Sequence, residues 1–319
     1  MAYQVRHAIE SDIAAIALVS NESRRGEPAH RDKTPDELKD EIYEAVGFDP
    51  EGLWIVLQGS KPVGYANAIV EGVGEESIGY IIVEVVPSHR ENGIEQELMT
   101  KALTFIESKG ADRARSRAFE KDEWFKALLE SLDFASDRRF FSMVCARGAP
   151  GNAFTPPEGV QFRHQLLNDA GDEDLSVLVE VLNESFREHY GWVPGTERQF
   201  ESLRDSTEDI FRTTYATKDG RVIGFSLLED SVVFNREHGA KEGWILAVGV
   251  LKDHRRMGVG RALIADCMRW FGEHGITTVR LGVDAENRKA LDLYSSLGFE
   301  VAWENYIYEK RLASGGARA

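Results

Sequence analysis

The sequence is short of anything that would tie it down covalently or to a metal. Its 319 residues include two cysteines, Cys145 and Cys267, far apart and outside any motif. A disulfide framework is therefore excluded, and both read as free thiols in apolar surroundings. No spacing of His, Cys, Asp or Glu suggests a metal site, and neither a G-x-S-x-G elbow nor a G-x-x-x-x-G-K-[ST] loop occurs. No metal is expected. Long apolar runs are missing too: nothing reaches 18 residues, and MAYQVRHAIESD has no apolar core of signal-peptide length. The expectation is a cytoplasmic protein, neither secreted nor membrane-spanning. Positive charge is scarce, with 38 Lys and Arg against 54 Asp and Glu, a net charge of −16. The deficit is even, 18 basic against 27 acidic residues in 1–150 and 20 against 27 in 151–319. Such a field disfavours nucleic acid and anionic membranes as partners, and says little about small molecules.

What the chain does have is an ordinary globular composition, 42% hydrophobic and 29% charged, and enough length for two domains. It also repeats. VVPSHRENGIEQELMTKALTFI (85–106) matches VLKDHRRMGVGRALIADCMRWF (250–271) at a constant spacing of 165 residues, which also carries LLESLDF (128–134) onto LYSSLGF (293–299). YQVRHAI near the start resembles VQFRHQL at 160–166, and Asn21-Glu22-Ser23 resembles Asn183-Glu184-Ser185. Between the halves RGAPGNAFTPPEG (147–159) gathers Gly and Pro without periodicity and reads as a linker. The expected domains are 1–150 and 151–319.

Within the second half, VQFR reads as a strand, LSVLVEVLNESFREHY and ERQFESLRDS as helices, and TTYAT with VIGFSLLED as a hairpin turning at Asp219-Gly220. EGWILAVGVL is the next strand. Gly260–Glu273 follows as a helix with Leu263, Cys267, Trp270 and Phe271 on one face, then TTVRLGVD, RKALDLYSSLG and EVAWENYIYEK as strand, helix and final strand. The order β-α-α-β-β-β-α-β-α-β is that of a mixed α/β domain of the α+β kind.

The junction Arg255-Arg256-Met257-Gly258-Val259-Gly260 lies between a strand and an amphipathic helix. A helix N-terminus has unpaired N–H groups and partial positive charge, and glycines let an anion approach the backbone. Arg255, Arg256 and Arg261 reverse the local sign of an acidic protein. Two glycines would equally serve a tight strand-to-helix turn, whereas a third glycine for G-x-G-x-x-G is missing. RRMGVG matches R-x-x-G-x-G. Together with the preceding strand and NRKALDLYSSLGF, it resembles the signature of the GNAT acetyltransferase superfamily, whose fold has this element order.

The resemblance covers nearly the whole chain. It implies two tandem GNAT-like acyl-CoA N-acyltransferase domains, an architecture shared with the mycothiol synthase family, in which the second half is the active one. Acetyl-CoA or another acyl-CoA would be the co-substrate, its pyrophosphate cradled by Arg255, Arg256, Met257, Gly258, Val259, Gly260 and Arg261. Val248, Gly249 and Val250 would contact the pantetheine through a splayed strand, and Asn287 and Ala290 would line the same arm. Tyr294, two turns beyond Asn287 and on its face, would protonate the departing thiolate. A base must deprotonate the amine, and the resemblance favours Glu242 on the preceding strand, with Glu229, Asp230, His238 and Asp284 as rivals. His189-Tyr190-Gly191-Trp192 falls where such proteins build an acceptor pocket, or is a packed loop corner. The function implied is acetyl transfer to a primary amine of a small molecule, protein or peptide by a monomer or homodimer. The rival is a protein that binds or senses acyl-CoA without turnover.

In the first half the 165-residue spacing puts Glu95 opposite Gly260, Asp122 opposite Asn287 and Leu129 opposite Tyr294, while Arg90 and Gly93 persist. A carboxylate beside a phosphate repels it, and leucine donates no proton. Residues 1–150 therefore read as a degenerate GNAT-like domain with a structural or substrate-shaping role. It keeps the apolar helix face Leu98, Ala102, Phe105 and Ile106.

Overall fold

A computed structural model describes residues 2–27, 30, 32–73, 76–146, 155–192, 194–206 and 208–312. The chain divides into two compact units, one of residues 1–139 with 304–319 and one of residues 140–303. The first half supplies β1 (Tyr3–His7), α1 (Ile13–Arg24), α2 (Pro35–Tyr43), β2 (Leu53–Gln58), β3 (Lys61–Val73), β4 (Glu76–Val85), α3 (Ile94–Ser108), β5 (Arg113–Phe119), α4 (Glu123–Ser131) and β6 (Ala135–Cys145). The second supplies β7 (Val160–Leu166), α5 (Asp172–Phe186), α6 (Glu197–Ser206), β8 (Ile210–Lys218), β9 (Arg221–Asp230), α7 (Val232–His238), β10 (Glu242–Val250), α8 (Val259–Glu273), β11 (Thr278–Asp284), α9 (Arg288–Ser296) and β12 (Glu300–Arg311). The mixed α/β reading holds, and every element expected for the second half forms. Helix α7 was not expected, since Val232–His238 is short and has no sustained period.

The two units do not follow a cut at residue 150, and that boundary itself lies outside the described residues. In the first unit the strands run β1-β2-β3-β4-β5-β12, and in the second β6-β11-β10-β9-β8-β7. The halves have exchanged their last strands. Asn305–Arg311 of β12 pairs antiparallel with Arg113–Phe119 of β5, and Phe140–Cys145 of β6 pairs antiparallel with Val279–Asp284 of β11. Charge locks β12 in place: Glu309 takes Arg113 and Arg115 at 2.8 Å each, and Lys310 donates to the Leu132 carbonyl at 2.8 Å.

Among the described residues each unit has one parallel pair, and in each the pair is incomplete. Strand β10 meets β11 only from Glu242 to Ile245, its register slips at Leu246, and from Ala247 to Val250 it pairs with β9 alone. Strand β4 meets β5 only from Ile78 to Ile81. Beyond these points neighbouring strands diverge, leaving unpaired backbone groups facing a wedge. Helices α3 and α8 start at the wedge mouths and are held by apolar faces: Leu98, Met99, Ala102, Phe105 and Ile106 in α3, and Leu263, Ile264, Cys267, Met268 and Phe271 in α8. At roughly 1.5–3 kcal/mol for each fully buried side chain of this size, these faces fix where the helices begin. Trp270 sits at the rim, stacked on His274.

Candidate active site

The wedge between β10 and β11 opens into a cleft of about 610 Å³ within the second unit. Val248, Gly249, Val250, Arg255, Arg256, Gly258, Val259, Gly260, Arg261, Asn287, Ala290 and Tyr294 all line it. Of the residues expected at the co-substrate, Met257 alone does not, being exposed outside. The turn into α8 is built by backbone geometry: Arg256 has φ +70° and Gly258, which caps α8, φ +85°. The N–H of Arg256 has no acceptor among the described residues. A methyl group at Gly260 would meet nothing nearer than 3.8 Å, so protein packing does not demand glycine there. Gly249 differs, since a Cβ would come within 2.6 Å of Phe225 and Ser185. Free amides at a helix start, room over Gly260 and the cations Arg256, Arg261 and Lys289 in the lining fit a phosphate-bearing ligand.

Arg255 has another task. Its guanidinium donates to the carbonyls of Val250 (2.9 Å) and Ser185 (3.1 Å) and to Glu188 (3.3 Å), so it braces the loop rather than presenting donors to an anion. Val259 contributes its backbone, its side chain being buried with Ile223 and Leu263. The Asn287 Oδ1 accepts the Ala290 N–H at 3.2 Å and caps α9, which leaves the Nδ2 donor available to the cleft.

Tyr294 projects from α9 with Phe299 against its ring edge. Burial pushes its phenol up to about 12, with the nearby Cys267 adding to the effect. The hydroxyl has no protein partner among the described residues, so it stays protonated with its proton uncommitted. Cys267 itself is fully buried, donates to Ser226 Oγ at 3.3 Å and has its thiol pushed up to about 12 by desolvation. It is no nucleophile at neutral pH.

Glu242, expected as the base, is not in the cleft lining. Arg280 on β11 holds both its oxygens, at 2.7 and 2.8 Å, so the carboxylate is committed to the neighbouring strand. Three rivals also lie elsewhere: Glu229 accepts from Ser231 Oγ, Asp230 from Asn235, and His238 stacks on Phe234. Asp284 does line the cleft, and so do His189 and Tyr190. The His189 ring packs on Phe186 with centroids 4.5 Å apart. Its pKa is lowered from 6.5, first by desolvation and then by Arg255, with Asp284 and Glu188 pulling the other way. An imidazole so placed is neutral at pH 7 and able to accept a proton. Trp192, its ring 5.1 Å from that of Phe186, is packed against the α5 core.

Sequence reasoning missed Ser185, whose Oγ is buried in the cleft wall without a partner. Its place in the Asn-Glu-Ser repeat was the signal. The repeated asparagines are structural, since Asn183 brackets the Gly195 backbone and Asn21 that of Lys33.

The first unit keeps the loop and changes what faces it. Glu91 and Gly93 have φ +60° and +83°, and Arg90 donates to the Val85 (3.0 Å) and Ser23 (2.6 Å) carbonyls as Arg255 does to Val250 and Ser185. Glu95, buried at the start of α3, accepts the Glu91 N–H at 2.6 Å. That is the counterpart of the free Arg256 N–H, so a carboxylate of the protein already occupies the anion position. Leu129 is fully buried.

A family model described as the acetyltransferase (GNAT) family matches residues 17–134 and again 175–299. A mycothiol acetyltransferase of Stackebrandtia nassauensis is 27% identical over 269 residues, covering 78% of this chain and 79% of its own length. One of Mycolicibacterium vanbaalenii is 26% identical, covering 84% and 86%. Among solved structures, a tandem GNAT protein from the clavulanic acid biosynthesis pathway superposes with a TM-score of 0.73 at 16% identity, over 99% of this chain and 100% of that one. A GCN5-related N-acetyltransferase from Sphaerobacter thermophilus gives 0.67 at 20% identity, over 97% and 95%. These two likenesses concern the fold.

Proposed function

The chain belongs to the acetyltransferase (GNAT) family and is an acyl-CoA dependent N-acetyltransferase, and from that premise we propose that its second unit acetylates the primary amine of a small molecule by direct attack. The observation that carries the reading is the Tyr294 phenol, protonated, without a partner and lining the same cleft as the neutral imidazole of His189. Acetyl-CoA, when bound, supplies a thioester whose C–S bond breaks as the amine N–C bond forms. The Arg256 and α8 amides with Arg256, Arg261 and Lys289 hold its phosphates, and the unpaired edge of Ala247–Val250 offers donors and acceptors for its amide arm. His189 takes the proton that the ammonium loses, with Asp284 favouring the imidazolium that results. Tyr294 gives its proton to the departing sulfur and is the acid of the reaction. Glu242 positions β11 through Arg280 and takes no proton. The small-molecule acceptor rests on the relatives named mycothiol acetyltransferase, and on a cleft with Phe140 and Tyr190 in its wall, whose rings lie 6.5 Å apart. No helix among the described residues is long and apolar enough to cross a membrane.

The test is a screen of primary amines for release of free CoA from acetyl-CoA. Turnover with an amino-sugar or amino-acyl amine, lost in Tyr294→Phe, supports the reading. Binding of acetyl-CoA with no amine turned over would favour a sensing protein.

A further inference from the structure

The first unit has its own cavity, about 330 Å³, in the wedge where β4 and β5 diverge. It is not a copy of the cleft in the second unit. Glu84 stands where the second unit has Gly249, Arg117 where it has Gly282, and Glu95 closes the anion position of the loop. Arg117 puts a charged side chain where a Cβ on Gly282 would meet nothing within 4 Å, and Glu84 adds a second charge to the wedge wall, which disfavours the amide arm of a coenzyme and favours a small polar ligand.

The charges in this cavity do not cancel in pairs. Glu84 accepts from Ser23 Oγ at 2.9 Å and faces Arg24 at 3.6 Å, while Glu27 takes Arg24 Nε at 3.1 Å. Arg24 lies over the Phe119 ring, and Lys33 is taken by Glu41. Two charged groups are left over. Arg117, on β5, is solvent-accessible in the cavity lining, makes no hydrogen bond or ion pair with any described residue, and feels the like charge of the Arg24 guanidinium. Asp122, at the N-cap of α4, accepts no helix N–H through its side chain and has no ion-pair partner among the described residues, and the Glu27 pKa is raised first by burial and further by the charge of Asp122. An unpaired guanidinium and an unpaired carboxylate thus line one small cavity without meeting each other. An aspartate that declines to cap its own helix forgoes about 1 kcal/mol, and a guanidinium in the same cavity has no carboxylate to hold.

We infer that the first-unit cavity is a binding site for a small zwitterion of the α-amino acid class, its carboxylate on Arg117 and its ammonium on Asp122 with Glu27 beside it. The site is separate from the acetyl-transfer cleft and does not depend on the assignments made there. One ligand carrying both charges satisfies both unpaired groups. A guanidinium takes a carboxylate through two parallel hydrogen bonds, and Phe119 and Trp124 give the walls apolar surface for a side chain.

The experiment uses the full chain carrying Tyr294→Phe, saturated with acetyl-CoA, so that neither turnover nor the second cleft contributes. The twenty proteinogenic amino acids are screened by thermal shift, and the best is measured by calorimetry against its decarboxylated amine and its des-amino acid. The expected result is one site per chain, with each single-charge analogue and each of Arg117→Gln and Asp122→Asn binding at least about tenfold more weakly, the loss of one charge-assisted pair. In the otherwise unmodified chain, Arg117→Gln and Asp122→Asn leave the acetylation rate unchanged, which shows that the variants are folded. Equal binding of the des-amino acid would overturn the zwitterion in favour of a plain anion site. No binding by any amino acid, or binding indifferent to both variants, would overturn the site altogether.

Discussion

Both units carry a strand, a loop with two residues in the left-handed region and a helix starting on a glycine, yet one loop presents a free amide where the other hands it to Glu95. Loop geometry is therefore independent of phosphate binding. It is held by the arginine brace, Arg90 or Arg255 on two carbonyls, and by the apolar face of the helix that follows. The chemistry rests on few side chains. Gly260 against Glu95 decides whether the helix start is open, Gly282 against Arg117 whether the wedge is clear of charge, and Tyr294 against Leu129 whether a proton is at hand.

The comparison breaks most completely if the chain is cut by sequence. Residues 151–319 carry Asn305–Arg311 without β5 and lack Phe140–Cys145, so they are expected to show no cooperative thermal transition, whereas residues 140–303 alone melt cooperatively. Circular dichroism checks it, and a clean melt for 151–319 would contradict the exchange. Next in size is Tyr294→Phe, expected to lower kcat by roughly 10² to 10⁴ with acetyl-CoA affinity unchanged. Leu129→Tyr should change nothing, and stopped-flow CoA release against calorimetry separates the two quantities. A third is Gly260→Glu, which gives the second loop the occupant of the first. A carboxylate about 4 Å from a phosphate is worth about 4 kcal/mol at an effective dielectric of 20, so acetyl-CoA should bind at least about a hundredfold more weakly. Calorimetry on the unmodified chain should find one acetyl-CoA per chain, and Glu95→Gly should leave turnover as it was. The smallest effect concerns pH. Because the His189 pKa is lowered, the neutral base persists below pH 6.5, so kcat/KM should rise with pH to a plateau through a midpoint below 6.5. His189→Gln should remove that limb, and a midpoint above 6.5 would assign the base elsewhere.

Much of this was legible because it is local. The glycine loop, the buried face of α8 and the common face of Asn287 and Tyr294 depend on residues within two or three turns of each other, and the repeat made the losses in the first half countable. What escaped depends on which strand lies beside which. Glu242 looked like a base until β11 placed Arg280 next to it, and the slip at Leu246 follows from pairing with β9 on one side while β11 departs on the other. The exchange of β6 and β12 was invisible for a stronger reason. The two strands occupy equivalent positions in the repeat, so either pairing satisfies the same local pattern, and what marks β12 as the partner of β5 is long-range: Glu309 with Arg113 and Arg115, and Lys310 with the Leu132 carbonyl.

That exchange also sets a timetable. Strand β5 is complete at residue 119, but the partner that covers its edge does not begin before residue 300. At about 5–20 residues per second, a ribosome needs roughly 10 to 35 s to make the intervening chain. For that interval β5 is an open edge, the kind of surface that recruits foreign strands, and its residues Arg113, Arg115 and Arg117 give the exposed edge like charges that discourage self-pairing. Arg113 and Arg115, which later clasp Glu309, thus join Arg117 in guarding the nascent sheet while its last strand is still being made.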